Sequence, residues 1–294
     1  MLEQERVNSQ RRERVDRKNY RRTDFGSASV VAYMMLFYNV SNEVVKVYAI
    51  VETIEGRNPV IEALKAGRPI SKVLLDRNSK SNRVIAEILH LSRARGVSVE
   101  YVEARTIDRQ SSTGASQGVI AYAMAKEYVN LGDLIAISKE RNEPSLYVIL
   151  DGIEDPQNLG AILRTAEATG VHGVIVRSRR AVGLTPAVAK ASAGAIEYVP
   201  VAQVANIPHA IETLKKNNVW VIGIDMAGEL DYSKVDFKLP TAIVIGSEGK
   251  GLSVLARSRC DLVAAIPMTG KISSLNASIA AAVVIYEAFR QRSK

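Results

Sequence analysis

The sequence predicts an α/β protein of two domains, the larger one built on a parallel sheet with helices on both faces. Three observations predict it. The chain has 294 residues, enough for about two domains. From Val51 onward, short apolar runs alternate with helical patterns punctuated by Gly and Pro. After Leu146 the apolar runs become nearly continuous, the pattern of strands buried on both faces. A composition of 47% hydrophobic and 24% charged residues is that of a folded protein and not of a disordered one.

Residues 1–48 read as an N-terminal extension. A mixed-charge arm that includes Glu3, Glu5, Glu13 and Asp16 precedes the apolar stretch "ASVVAYMMLFY" at 28–38. Its roughly 11 apolar residues fall short of the ~20 that cross a bilayer, and the charged start is unlike a signal peptide. Residues 49–126 form a first α/β domain. In "GRNPVIEALKAG", Asn58 is the expected N-cap, Pro59 the first helical residue and Gly67 the stop. "KVLLD" is a strand. "SNRVIAEILHLSRARG" places Val84, Ile85, Ile88, Leu89 and Leu91 on one helical face that ends at Gly96. "VSVEYV" and "GVIAYAM" are further strands. Residues 127–145 are expected to be a helical linker with Leu131, Leu134, Ile135 and Ile137 on its apolar side.

Residues 146–294 form the larger domain. Its strands are "LYVILDG", "GVIVRS", "YVPVAQV", "VWVIGID", "TAIVIGS" and "LVAAIPM", interleaved with helices. "TPAVAKASAGAIE" starts a helix with Thr185 as cap and Pro186 in the first turn, and its small residues suggest close helix–sheet contact.

The net charge of +8 and pI near 9.5 favour a polyanionic partner. No basic amphipathic helix stands out, so nucleic acid is expected and a membrane is not. Cys260 is the only cysteine, which rules out an internal disulfide and suits a reducing cytoplasm. His90, His172 and His209 are scattered, so no metal is expected. The chain lacks a P-loop, a nucleophile elbow, a zincin motif and a Rossmann fingerprint, which disfavours nucleotide hydrolases, serine hydrolases and dinucleotide reductases.

Ligands collect at the carboxyl ends of strands in an open parallel sheet, and three polar loops stand there: "EDPQNLG" (154–160), "GSEGKGLS" (246–253) and "PMTGKISSLNAS" (267–278). Asn158 offers a donor and an acceptor to a hydroxyl, or caps the helix; Gly160 permits close backbone approach; Arg164 faces either a ligand or solvent. Gly246, Gly249 and Gly251 expose backbone polar groups. Glu248 either shapes the site or favours a helix N-terminus by ~0.3–1 kcal/mol. Ser273, Ser274 and Asn276 reach a ligand or cap the helix that follows. Tyr286 and Phe289 suit packing or a subunit contact.

"LDGIEDPQNLGAILRTAEATGVHGVIV", "IVIGSEGKGLS" and "IPMTGKISSLNASIAAAVVIYEAFRQR" resemble, in order and spacing, the three motifs of the SpoU–TrmH family. Its members are S-adenosylmethionine-dependent RNA ribose 2′-O-methyltransferases of the SPOUT superfamily. "GRNPVIEALKAG" and "SQGVIAYA" resemble the L30e-like RNA-binding domain of the family's RlmB-type branch, which methylates a guanosine of 23S rRNA. The resemblance implies a trefoil-knot methyltransferase domain preceded by a small L30e-like α/β domain. It also implies a homodimer formed through the C-terminal domain, with structured RNA as substrate.

By matched motif, Asn158 and Arg164 would act at the ribose and its phosphate, with Glu248, Ser274 and Asn276 completing the catalytic site. Gly246, Ile266, Met268 and Leu275 would hold the cofactor, and Arg57, Asn58 and Gln117 the RNA. A guanidinium is a poor base near neutrality, so Arg164 is expected to pair with phosphate and stabilise charge developing on the 2′-oxygen. The alternatives are a tRNA or an antibiotic-resistance methyltransferase, or a non-catalytic RNA-binding protein on the same fold.

Overall fold

The computed structural model describes residues 32–40, 43–79, 82–271 and 274–293. The chain divides into two compact units, residues 1–52 and 53–294. In the first, β1 (Ala32–Val40) pairs antiparallel with β2 (Glu43–Glu55), from Ala32 opposite Val51 to Val40 opposite Glu43. Part of the apolar stretch 28–38 is therefore strand, while its first four residues and the charged arm before it lie outside the described residues.

The second unit holds two sheets. The smaller carries β3 (Ile70–Asp76), antiparallel to β5 (Val119–Met124) and parallel to β4 (Ser98–Val102). Helices α1 (Arg57–Ala66) and α2 (Arg83–Ala94) pack on it through Val60, Leu64, Ile85 and Ile88. Helix α1 starts earlier than expected. Gly56, at φ 99°, occupies the capping position, so Asn58 and Pro59 lie inside the first turn. Gly67 ends the helix in the left-handed conformation at φ 76°, as the sequence suggests. A short helix, α3 (Ala104–Gln110), was not expected; it buries only Ile107, too little to make a visible period.

The larger sheet contains β6 (Leu146–Asp151), β7 (Gly173–Arg177), β8 (Val201–Val204), β9 (Trp220–Ile224), β10 (Leu230–Asp231), β11 (Thr241–Gly246) and β12 (Leu262–Ala265). Its order is β10-β12-β9-β11-β6-β7-β8, with every pairing parallel. The adjacent strands β6 and β11 are buried at every residue, which explains their unbroken apolar runs. One face is covered by α5 (Pro156–Ala168), α6 (Pro186–Ala191) and α9 (Ala277–Arg292), through Leu159, Leu163, Val188, Val284 and Ile285. The other is covered by α4 (Leu131–Glu140), α7 (Ile207–Lys216) and α8 (Val254–Arg259), through Leu134, Ile135, Ile211, Leu214 and Ala256.

Two expectations change in this layer. The segment 127–145 does more than link, because Leu134 fills the space left by Gly173, whose Cβ would sit 2.1 Å from Leu134 Cδ1. Gly160 allows close approach, though of a helix and not a ligand: a Cβ there would lie 2.3 Å from Ala191 Cβ. The small residues after Thr185 thus serve contact between α5 and α6 in addition to the sheet. No helix among the described residues is long and apolar enough to cross a membrane.

Candidate active site

Strands β6 and β11 run in register, Asp151 beside Gly246, so the loops that leave their carboxyl ends emerge side by side. The β11 loop folds back on itself. Ser247 N–H donates to Gly251 O at 3.1 Å and Gly251 N–H to Ser247 O at 3.0 Å. This closure is open only to glycine at 246, where a Cβ would meet Gly251 C at 2.1 Å. At the start of α5, Asp155 accepts from the N–H groups of Gln157 and Asn158, both at 3.2 Å. Asp155, not Asn158, is the cap, and the Asn158 side chain is free to turn inward.

It turns toward the other two loops. Asn158 Nδ2 donates to Glu248 Oε1 at 2.8 Å. Asn276 Nδ2 donates to the same Glu248 oxygen at 2.5 Å and to Asn158 Oδ1 at 2.9 Å. A carboxylate only accepts, so both amides present their NH2 groups to it. Asn276 also caps α9, its Oδ1 accepting from Ser278 N at 2.9 Å and Ile279 N at 3.2 Å. One Asn276 side chain thus both caps α9 and joins the other two loops.

The three loops thus close on a triangle of Asn158, Glu248 and Asn276. Asn158 is only 5% exposed and both its amide atoms are used within the protein. In this arrangement it positions its neighbours; the donor–acceptor pair that the sequence offers to a hydroxyl is already taken up by Glu248 and Asn276. Glu248 and Asn276 are exposed at the rim.

Arg164 projects from α5 to solvent with no hydrogen bond or ion pair shown among the described residues. Ser274 and Met268 are exposed and Ile266 and Leu275 half-buried, all on the third loop. Ser273 lies outside the described residues. In the smaller domain, Arg57 N–H donates to Gln117 Oε1 at 3.2 Å and Arg57 Nε to Gln117 O at 3.3 Å, with Asn58 exposed beside them.

Two residues escaped the sequence reading. Asp151 Oδ2 accepts from Ser253 N at 2.9 Å, tying the second loop to β6. Asp225 Oδ2 accepts from Leu252 N at 3.3 Å from the other side. Their shared signal is an acid at the carboxyl end of an apolar run, in "VILD" and "VIGID". Burial, then Asp261, pushes the Cys260 thiol up to about 12, leaving it protonated and unreactive. The described residues contain no cluster suited to a metal ion.

A model of the SpoU rRNA Methylase family matches residues 145–286, and one for RNA 2′-O ribose methyltransferase substrate binding matches residues 53–129. The TrmH family protein YacO of Bacillus subtilis (strain 168) is 44% identical over 237 residues, covering 81% of this chain and 94% of YacO. The chain belongs to the SpoU/TrmH family of RNA methyltransferases. Solved structures of the family resemble most of it. The SpoU methyltransferase AviRb from Streptomyces viridochromogenes, in complex with AdoMet, superposes with a TM-score of 0.70 at 29% identity, covering 82% of this chain and 90% of AviRb. The AdoMet-bound rRNA methyltransferase from Sinorhizobium meliloti gives 0.67 at 29% identity, over 82% and 87%.

Proposed function

We propose that the protein transfers the methyl group of S-adenosylmethionine to a ribose 2′-hydroxyl of structured RNA, a guanosine of 23S rRNA. The observation that carries this reading is the Asn158–Glu248–Asn276 triangle, which draws all three motif loops to one edge of the sheet. The residues present fit the cofactor. The tight turn at Gly246, the half-buried Ile266 and Leu275 and the exposed Met268 offer backbone polar groups beside apolar side chains. When bound, S-adenosylmethionine supplies an electrophilic methyl carbon.

The chain's own work is orientation, which supplies up to ~7–11 kcal/mol in favourable systems. Glu248 and Asn276 are held by Asn158 at the rim, where Ser274 completes the site. Arg164, free in solvent, pairs with the RNA phosphate and stabilises charge developing on the 2′-oxygen, and the proton leaves through phosphate or water. Arg57, Asn58 and Gln117 of the smaller domain grip the RNA. Two further features belong to this reading: a trefoil knot in the C-terminal domain, and a homodimer. Ile279, Tyr286 and Phe289 support the second, standing exposed along α9 with the two rings edge-to-face at 6.2 Å. The single cysteine suits work in a reducing cytoplasm.

Mapping 2′-O-methyl positions in RNA treated with protein and S-adenosylmethionine tests the reading. One new mark at a 23S rRNA guanosine is expected; a mark confined to tRNA moves the substrate, and no mark in any RNA contradicts the proposal. Single-turnover rates of Arg164→Ala and Arg164→Lys test the arginine, which an unchanged Ala rate removes from the mechanism.

A further inference from the structure

Glu55 is fully buried, and nothing in the methyl-transfer site uses it. Its carboxylate accepts five hydrogen bonds from three successive residues. Ser111 Oγ donates to Oε2 at 2.6 Å; Ser112 N and Oγ donate to Oε1 at 2.6 and 2.8 Å; Thr113 N and Oγ1 donate to Oε2 at 3.2 and 2.5 Å. Charge-assisted bonds of this number offset the cost of burying the carboxylate. They fix the start of the loop between α3 and β5.

Beyond Thr113 the loop is exposed at Gly114, Ala115 and Gln117, with Ser116 buried between them. Gly114, at φ 65°, has no atom within 4 Å of where a Cβ would stand, so its backbone is open to close approach. Gln117, at φ 54°, makes the two contacts with Arg57 described above.

A second tether reaches the same loop from the larger domain. Lys190 Nζ, on α6, donates to Thr113 Oγ1 at 3.3 Å and to Ala115 O at 2.8 Å. Thr113 Oγ1 therefore accepts from Lys190 while donating to Glu55, a chain of hydrogen bonds with opposite charges at its ends. Helix α6 meets α5 at the tight Ala191–Gly160 contact, and α5 carries Asn158 and Arg164. Elsewhere the two domains are joined independently, by Arg68 Nη1 to Glu197 Oε1 at 2.6 Å and Tyr198 OH to Glu62 Oε2 at 2.6 Å. Neither of these contacts involves Lys190.

We propose that Lys190 is a positioning residue that holds the Glu55-organised loop 111–117 against the methyltransferase domain, so that RNA gripped by the smaller domain is presented to the site around Asn158. The proposal rests on the RNA-methyltransferase reading above.

The test compares full-length wild type, Lys190→Met and Lys190→Arg. Hydrogen exchange over 111–118 is measured without RNA, and steady-state methyl transfer is measured with 23S rRNA. In Lys190→Met, exchange over the loop is expected to rise about tenfold and KM for RNA to rise about tenfold, on loss of the two hydrogen bonds that the Lys190 ammonium donates. The kcat at saturating RNA and the affinity for S-adenosylmethionine stay unchanged, and Lys190→Arg restores both readouts. A raised KM with unchanged loop exchange makes Lys190 a direct RNA contact and overturns the proposal. So does an unchanged KM, or a fall in kcat alone. A wild type that transfers no methyl group to RNA of any kind overturns the functional reading and this inference with it. The exchange data, which need no RNA, separate the two failures.

Discussion

Asn276 Nδ2 donates a 2.9 Å hydrogen bond to Asn158 Oδ1 across 118 positions of sequence. Asn158 lies in the first turn of α5 and Asn276 caps α9, two helices on the same face of the sheet, and each also donates to Glu248 Oε1. The bond makes the two helix starts and the β11 loop a single object. A displacement of any one of them is felt by the others.

Gly246→Ala places a Cβ 2.1 Å from the Gly251 carbonyl carbon, where only backbone can yield. The β11 loop must open. Thermal unfolding is expected to show a loss of about 1–3 kcal/mol, and titration calorimetry a loss of S-adenosylmethionine binding. Gly160→Ala makes the control. Its Cβ would meet Ala191 Cβ at 2.3 Å and the backbone of Ala191 and Ser192 at 2.8 Å, so adding Ala191→Gly should recover part of the lost stability of Gly160→Ala and none of that of Gly246→Ala.

Glu55→Gln keeps size but turns an NH2 group toward a carboxylate's worth of donors. A loss of about 2–4 kcal/mol is expected by urea unfolding. Burial raises the Glu55 pKa, but the hydrogen bonds from Ser111, Thr113 and Ser112 outweigh it and hold the group below its ordinary value. A depressed carboxylate gives stability that is present above its unfolded pKa and lost as pH falls through the folded one. The wild type should therefore lose stability over that acid range more steeply than the variant.

His172 acts in a neighbouring window. It is buried, its Nδ1 accepts from Leu146 N at 3.1 Å, and its ring meets Tyr147 edge-on. Burial, then Arg141, lowers its pKa, with Glu143 pulling the other way. The unfolded chain thus takes up the proton first. Stability is full above the ordinary histidine pKa and falls as pH drops from there toward the folded value. His172→Asn, which keeps an acceptor for Leu146, should flatten that fall in unfolding midpoints between pH 7 and 5; an undiminished slope would assign it elsewhere.

S-adenosylmethionine at about 100 times its Kd should stabilise the protein by about 2.7 kcal/mol, read as a rise in Tm. NADH should leave the Tm where it is, because the chain has no Rossmann phosphate loop.

Much of this architecture is legible in the sequence because burial is local in cause. Strands β6 and β11 are buried throughout, and their runs "LYVILD" and "TAIVIG" say so. The loops at their ends follow directly. What stays hidden depends on distant partners. Nothing near Asn158 announces that its amide is used by residues 90 and 118 positions away, nor anything near Gly160 that its neighbour is Ala191. Helix α3 hides for the opposite reason, since one buried residue, Ile107, sets no period. Glu55 looks like an ordinary acid beside "GRNP" until the segment 111–113 folds over it.

The central claim is that three separated loops form one methyl-transfer site. Single-turnover transfer from labelled S-adenosylmethionine to RNA, measured for Asn158→Ala, Glu248→Ala, Asn276→Ala and the triple variant, tests it most directly. Residues that act as a unit give non-additive losses. The triple variant is predicted to be scarcely slower than the worst single one, each at least about tenfold below wild type. Losses that multiply through to the triple variant, or singles that keep the wild-type rate, would contradict the claim.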